Sequence, residues 1–319
     1  MIFGPIPSRR LGRSLGINNI PPKRCSYSCV YCQVGRTSRM QVKRECFYSV
    51  TEIIEKVKRK LDALKIAGEA VDYLSFVPDG EPTLDTGLGR EIAALKALGV
   101  KIAVITNGSL LWREEVRGEL MNADWVSLKL DAVQDNIWRR INRPHKGLEL
   151  DRVIDGMCAF AHAYKGILVT ETMLVKGLND GEDDIKAVAS VLQRLEPSTA
   201  YILTPTRPPA EEWAGPADGE ALAGAFNVFH KHIPAVEVLV EYEGNAFAYT
   251  GNIEEELLAT TAVHPLREDA VRELLARAKA EWSVVERLVK QGRLRRTEYA
   301  GKSFFVNNYG VQTSEEPTR

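Results

Sequence analysis

Between residues 14 and 240, short β-branched runs alternate with longer amphipathic runs, a pattern that few folds accept. Strand candidates fall at 14–18, 73–77, 101–106, 125–130, 167–174, 200–203 and 237–240. Several are continuous apolar runs, as strands covered on both faces require. Helical stretches lie between them at 50–67, 89–98, 150–163 and 183–195. In the first of these, Ile53, Ile54, Val57, Leu61 and Leu64 recur at helical spacing, while Lys56, Lys58, Arg59 and Lys60 face elsewhere. Such alternation predicts an α/β fold with parallel strands and right-handed crossovers, its units closing partly into a (β/α)6 barrel.

In that architecture the site belongs at the carboxyl ends of the strands. Gly80-Glu81-Pro82, Asn107-Gly108 and Asp131 each stand just after a strand candidate. Gly, Pro, Asn and Asp also make ordinary turns. Their joint placement after successive strands is what points to a site.

The pattern breaks near Gly251-Asn252, so residues 1–250 are expected to form the barrel domain and 251–319 a smaller one. In the smaller part, helical runs at 266–279 and 282–291 precede a hairpin of 294–299 and 302–306 turning at Ala300-Gly301. That order resembles a winged helix. The polar tail from Thr313 onward is expected to be disordered. The formal net charge of the 319 residues is -1, which gives no whole-molecule case for nucleic acid or membrane, so any such contact must come from a local patch. No apolar stretch approaches the roughly 18 residues of a membrane span. The start, Met1-Ile2-Phe3-Gly4-Pro5, lacks the plan of a secretory signal, so a cytoplasmic location is expected.

Three of the five cysteines crowd into Cys25-Ser26-Tyr27-Ser28-Cys29-Val30-Tyr31-Cys32. Clustered thiols in a reducing compartment bind metal or do redox work more often than they form disulfides. A short loop can wrap three thiolates around one cluster and leave one iron open. The alternative is a closed zinc site in a non-catalytic, nucleic-acid-binding α/β protein, with Cys46 as fourth thiolate. Zinc ribbons, however, pair their ligands as two C-x2-C knuckles. Cys158, beside Met157 and Phe160, reads as core.

The C-x3-C-x2-C spacing, with the aromatic Tyr31 before the last cysteine, resembles the radical S-adenosylmethionine superfamily. Residues 4–16 (GPIPSRRLGRSLG) and 204–211 (TPTRPPAE) look like an uncharacterised group of iron–sulfur oxidoreductases within it, related to the radical enzymes of tRNA wybutosine synthesis. The resemblance implies a partial barrel of that type, a [4Fe–4S] cluster on Cys25, Cys29 and Cys32, and S-adenosylmethionine on its open iron. It further implies an external one-electron donor of the flavodoxin or ferredoxin kind, and a 5′-deoxyadenosyl radical that abstracts hydrogen from a substrate, tRNA among the candidates.

On the same resemblance, Tyr31 and the Gly80, Glu81 and Pro82 turn serve the cofactor, with glycine allowing close backbone approach. Glu81 is read as orienting its loop. Ser127, Lys129 and Asp131 alternate onto one face, which in a barrel is the lumen. They suit the cofactor's polar groups or a buried structural ion pair. Asn107 suits the ribose or a turn. Glu171, polar within a buried strand, needs a partner, and residues 203–206 are where similar enzymes hold adenine. Arg9, Arg10 and Arg13 ahead of the first strand, with Arg207 after the sixth, could clamp a phosphate or carboxylate or form a solvated basic face. The histidines show no metal-ligand spacing. Arg287, Lys290, Arg293, Arg295, Arg296 and Lys302 make the tail a candidate for RNA contact or for protein packing.

Overall fold

The computed structural model describes residues 2–240, 244–245 and 247–308. The chain opens with a hairpin, β1 (Ile2–Ser8) and β2 (Gly12–Ile17), and then forms a long loop holding the short pair β3 (Arg24–Cys25) and β4 (Arg39–Met40). Helix α1 (Val50–Ile66) leads to β5 (Tyr73–Phe76), α2 (Leu88–Lys96) to β6 (Lys101–Thr106), and α3 (Glu114–Leu120) to β7 (Trp125–Lys129). Next come α4 (Asp135–Ile141), α5 (Leu150–Ala163), β8 (Ile167–Met173), α6 (Glu182–Leu195), β9 (Thr199–Leu203), α7 (Gly219–His230) and β10 (Val236–Leu239). The C-terminal unit follows in the order α8 (Ile253–Val263), β11 (Leu266–Arg267), α9 (Glu268–Ala278), α10 (Ser283–Lys290), β12 (Leu294–Tyr299) and β13 (Lys302–Asn307).

The main sheet runs β1-β2-β5-β6-β7-β8-β9-β10. From β2 onward every neighbour is parallel. The α/β class and the parallel sheet match the reading of the sequence, with the seventh parallel strand β10 and the antiparallel β1 extending the six-unit plan. Strand β1 carries Pro5 and Pro7, which argue against a central strand. It forms because it lies at the sheet edge, with a register shift between Phe3 and Ile6. The run expected to be helical from residue 266 begins as β11, whose Leu266 pairs with Phe305 of β13. Residues from Thr313 onward lie outside those described.

One face of each strand packs under the helices, and the other faces the lumen. Leu74, Phe76, Ile102, Val104, Val126 and Leu128 point outward and are fully buried. They meet the apolar stripe of α1 (Ile53, Val57, Leu64), a helix whose first turn is capped by Ser49 accepting from the Glu52 amide at 3.1 Å. On the inner face, Leu11, Ala103, Trp125, Val169, Tyr201 and Leu239 close the amino-terminal end of the lumen. The polar inner residues therefore sit above an apolar plug.

The C-terminal unit has the element order of a winged helix, with a sheet ordered β11-β13-β12. Its core, built on Leu257, Val271, Leu274, Leu288 and Phe305, also takes in Phe3 and Ile6 of β1. Lys60 of α1 adds an ion pair to Glu256 of α8. The unit is thereby packed against the edge of the sheet and the mouth of the lumen.

Candidate active site

The cysteine loop is held by backbone bonds rather than by its own regular structure. The Ser28 amide donates to Asn142 O at 3.0 Å, Val30 to Ile141 O at 2.9 Å, and His145 to Ser26 O at 2.8 Å. Trp138 donates its indole N–H to the Tyr27 hydroxyl at 3.2 Å, with the two rings edge to face at 5.8 Å. Cys25, Cys29 and Cys32, each half-buried, line one cavity of about 300 Å³. Two sulfurs receive N–H donors: Cys25 from the Tyr27 amide at 3.5 Å and Asn107 Nδ2 at 3.6 Å, Cys29 from Asn142 Nδ2 at 3.4 Å.

Burial, then Asp131 and Cys32, push the Cys29 thiol up to about 12. Burial, Glu81 and Cys29 raise Cys25, and burial raises Cys32. Such thiols give up their protons when a metal cation takes the sulfur. Three soft donors on one cavity wall, with amides aimed at their sulfurs, fit an iron–sulfur group. Cys46 does not complete a zinc site: it is exposed, its thiol points to Tyr48 O at 3.5 Å, and it is absent from the cavity wall.

Gly80 sits at φ 155°, and a Cβ there would lie 1.8 Å from Arg24 O. The glycine allows the loop after β5 to bridge directly to Arg24, next to Cys25, and the Glu81 amide donates to the same oxygen at 3.2 Å. The Glu81 carboxylate is spent on four donors. Its Oε1 accepts from the Thr83 amide at 3.0 Å, Thr83 Oγ1 at 2.6 Å and Thr106 Oγ1 at 2.6 Å, and its Oε2 from the Asn107 amide at 2.8 Å. The side chain thus knits the ends of β5 and β6 together, as an orienting role requires. Pro82 opens a one-turn helix just beyond the cavity wall, where its ring restricts the turn.

Asn107 lines the cavity but grips the cysteine loop, donating to Ser26 Oγ at 2.9 Å as well as to Cys25. Asp131 lies two residues beyond the end of β7 and off the cavity wall. It accepts from the Tyr31 hydroxyl, from Asn142 Nδ2 at 2.6 Å and from the Met173 amide at 2.9 Å. Tyr31, which does line the cavity, is anchored by that contact.

Lys129 and Glu171 meet across β7 and β8 at 2.9 Å, as their register dictates. Ser127 Oγ donates to Glu171 at 2.7 Å, and Arg10 pairs with the same carboxylate. Although burial works the other way, Arg10 and Lys129 hold the Glu171 carboxyl down at about 2. The lumen thus carries a fixed cation–anion–cation array above its apolar plug.

Of the arginines, Arg9, Arg10 and Arg207 line the cavity and Arg13 does not. Arg13 stands at the amino end of β2, half exposed, beside Asp72 at 3.7 Å and away from the cavity wall. Arg207 donates to Gln33 Oε1 at 3.2 Å, and Gln33 Nε2 donates to Val263 O at 2.8 Å. Through Gln33 the residue after Cys32 is tied to the C-terminal unit, which brings His264 into the cavity wall. Nothing in the local sequence marks His264 or Gln33. Asn142 was equally hidden, although its place in Asn142-Arg143-Pro144 signals a fixed turn. In the tail, Arg287 and Arg293 contact Glu254, and Arg296 contacts Glu268 at 2.9 Å, so half of the six cations have acidic neighbours.

Comparison with known proteins agrees with this geometry. The family description "Radical SAM superfamily" matches residues 19–189. A UPF0026 protein of Methanocaldococcus jannaschii is 46% identical over 308 residues, covering 96% of this chain and 95% of that one. Among solved structures, a radical SAM methyltransferase from Sphaerobacter thermophilus superposes with a TM-score of 0.57 at 15% identity, covering 71% of this chain and 66% of the other. Streptococcus suis SuiB bound to S-adenosylmethionine superposes with a TM-score of 0.51 at 14% identity, covering 72% and 51%.

Proposed function

Because this chain belongs to the radical S-adenosylmethionine superfamily and is an enzyme of that kind, we propose that Cys25, Cys29 and Cys32 hold a [4Fe–4S] cluster beside S-adenosylmethionine, and that the enzyme abstracts hydrogen from a substrate in the same cavity. When bound, cluster and cofactor supply reductive cleavage of the sulfonium C–S bond and a 5′-deoxyadenosyl radical able to attack an unactivated C–H bond.

The reading is carried by one observation: three thiols from a single loop line one cavity, with amide donors on two of their sulfurs. The protein's own part is to position and to exclude water. Glu81, Asn107 and Asn142 keep the cysteine loop in place. Lys129 and Arg10, fixed by the single carboxylate of Glu171, leave one net positive charge to face the cofactor or substrate.

Reduction requires a one-electron donor, and we assign its docking to the face around the cysteine loop. Of the six basic residues in 21–48, Arg36, Arg39 and Lys43 are exposed, with Arg36 beside Glu211 and Arg39 within 4.0 Å of Glu45, while Arg24 and Arg44 are spent on Glu45 and Glu119. Such a face suits an acidic flavodoxin- or ferredoxin-type protein.

The test is anaerobic reconstitution followed by reduction with dithionite. About four irons per chain and release of 5′-deoxyadenosine are expected, with both lost in Cys29→Ala. Protein free of iron and acid-labile sulfide would overturn the proposal. With a flavodoxin as donor, Arg39→Glu together with Lys43→Glu should slow the same reaction while the dithionite rate stays unchanged.

A further inference from the structure

We propose that Asn107 and Asn142 set the reduction potential of the cluster, each by directing one side-chain N–H at a ligand sulfur. The role rests on the [4Fe–4S] cluster proposed above, and it goes beyond bracing the cysteine loop. Asn107 follows β6 and Asn142 follows α4, and both are buried. Asn107 Nδ2 donates to Cys25 Sγ at 3.6 Å, and Asn142 Nδ2 donates to Cys29 Sγ at 3.4 Å.

The other partners fix which end of each amide meets the sulfur. Asn107 Oδ1 accepts from the Ser109 amide at 3.0 Å, which leaves the nitrogen for Ser26 Oγ at 2.9 Å and for Cys25. Asn142 Nδ2 lies 2.6 Å from Asp131 Oδ2, a carboxylate oxygen that an amide oxygen would not face. A side-chain amide nitrogen carries two hydrogens. In both residues one serves an oxygen and the other a sulfur. Tyr31 adds no further donor, because its single hydroxyl proton goes to Asp131.

One-electron reduction, with the electron supplied by the donor protein, adds one negative charge to the cluster and its thiolates. N–H donors on the sulfurs stabilise that charge and so raise the potential. The surroundings of the same two sulfurs work the other way. Burial, followed by the charge of Glu81, disfavours a thiolate at Cys25, and burial followed by Asp131 does so at Cys29. Each asparagine stands between one of those carboxylates and its sulfur. The Asn107 backbone amide donates to Glu81 Oε2 at 2.8 Å, and Asn142 Nδ2 donates to Asp131. Cys32, which no asparagine reaches, has the cations Lys23 and Lys129 acting beside Asp79 instead. The asparagines thus offset negative charge at the two thiolates that lie nearest to buried carboxylates.

The test is the midpoint potential of the full-length, reconstituted protein, read without turnover by stepwise reduction with dithionite and mediator dyes under EPR. Asn107→Leu and Asn142→Leu keep the shape of the side chain and remove the donor. Each should make reduction about 2- to 10-fold less favourable, which for a one-electron couple is a potential about 18 to 59 mV lower. Ser109→Ala removes a hydroxyl that braces the same loop through Ser26 Oγ at 2.6 Å but takes no donor from a sulfur, so it should titrate like wild type. The proposal is overturned if either iron-loaded leucine variant keeps the wild-type potential or gains a higher one, or if Ser109→Ala shifts as far as they do. Should a leucine variant hold no iron, the wild type decides. With nitrogen-15 placed only in the side-chain amide of asparagine, its reduced cluster should show a nitrogen-15 coupling by pulsed EPR, and absence of that coupling overturns the proposal. Wild-type protein without iron and acid-labile sulfide would instead refute the cluster assignment.

Discussion

Replacing Glu171 by glutamine tests the charge array in the lumen. The carboxyl is 3% exposed and is held at about 2 against an ordinary 4.5. A depression of that size corresponds to about 3 kcal/mol in favour of the folded state when the group is charged. Because the folded value lies below the unfolded one, this contribution is complete above about pH 5. It disappears as the pH falls towards 2, where the folded carboxyl is also protonated. Glu171→Gln should therefore cost roughly 3 kcal/mol at pH 7, through loss of the contacts to Arg10, Lys129 and Ser127. The difference from wild type should shrink steadily below about pH 5. Urea unfolding followed by tryptophan fluorescence suits the measurement, because Trp125 lies in the plug beneath the array. Wild type and variant must be compared at equal iron content, from pH 7 down to the lowest pH at which both refold. Parallel stability curves, with a gap that does not close in acid, would refute the assignment of this stability to an ionised Glu171.

Three further outcomes follow from the geometry. Gly80→Ala forces a Cβ onto the Arg24 carbonyl, so it should lower both iron content and melting temperature, and a fully iron-loaded variant of unchanged stability would contradict the packing. Cys46→Ser should retain the iron of wild type, because that thiol is remote from the cavity wall, and loss of iron on this substitution would revive a fourth-ligand role. With three of its six basic side chains beside Glu254 or Glu268, the tail should bind tRNA only weakly, with filter retention vanishing between about 50 and 200 mM salt. Retention that survives the higher salt would restore RNA as a partner of the C-terminal unit.

Much of this site could be read along the chain because its determinants are local. The cysteine spacing, the turn at Gly80 and the alternation that turns Ser127 and Lys129 to one face each depend on a few successive residues and on backbone periodicity. Asp131 follows the end of β7 at Lys129 and turns its carboxylate to the Met173 amide of β8, to Tyr31 and to Asn142. Within the N-terminal arginines, spacing could not tell Arg10 from Arg13. Only the hairpin sends the first to a carboxylate 161 positions away and the second to Asp72, just ahead of β5.

The sequence by itself determined the thiol loop, the α/β class and the lumen-facing pattern of β7. Tertiary structure alone decided that Glu81 and Asp131 spend their oxygens on neighbouring loops, that Cys46 stands apart, and that His264 joins the cavity through Gln33. The physical reason is that periodicity and turn chemistry act over a few residues. Burial and charge pairing instead depend on which distant segments the folded core brings together.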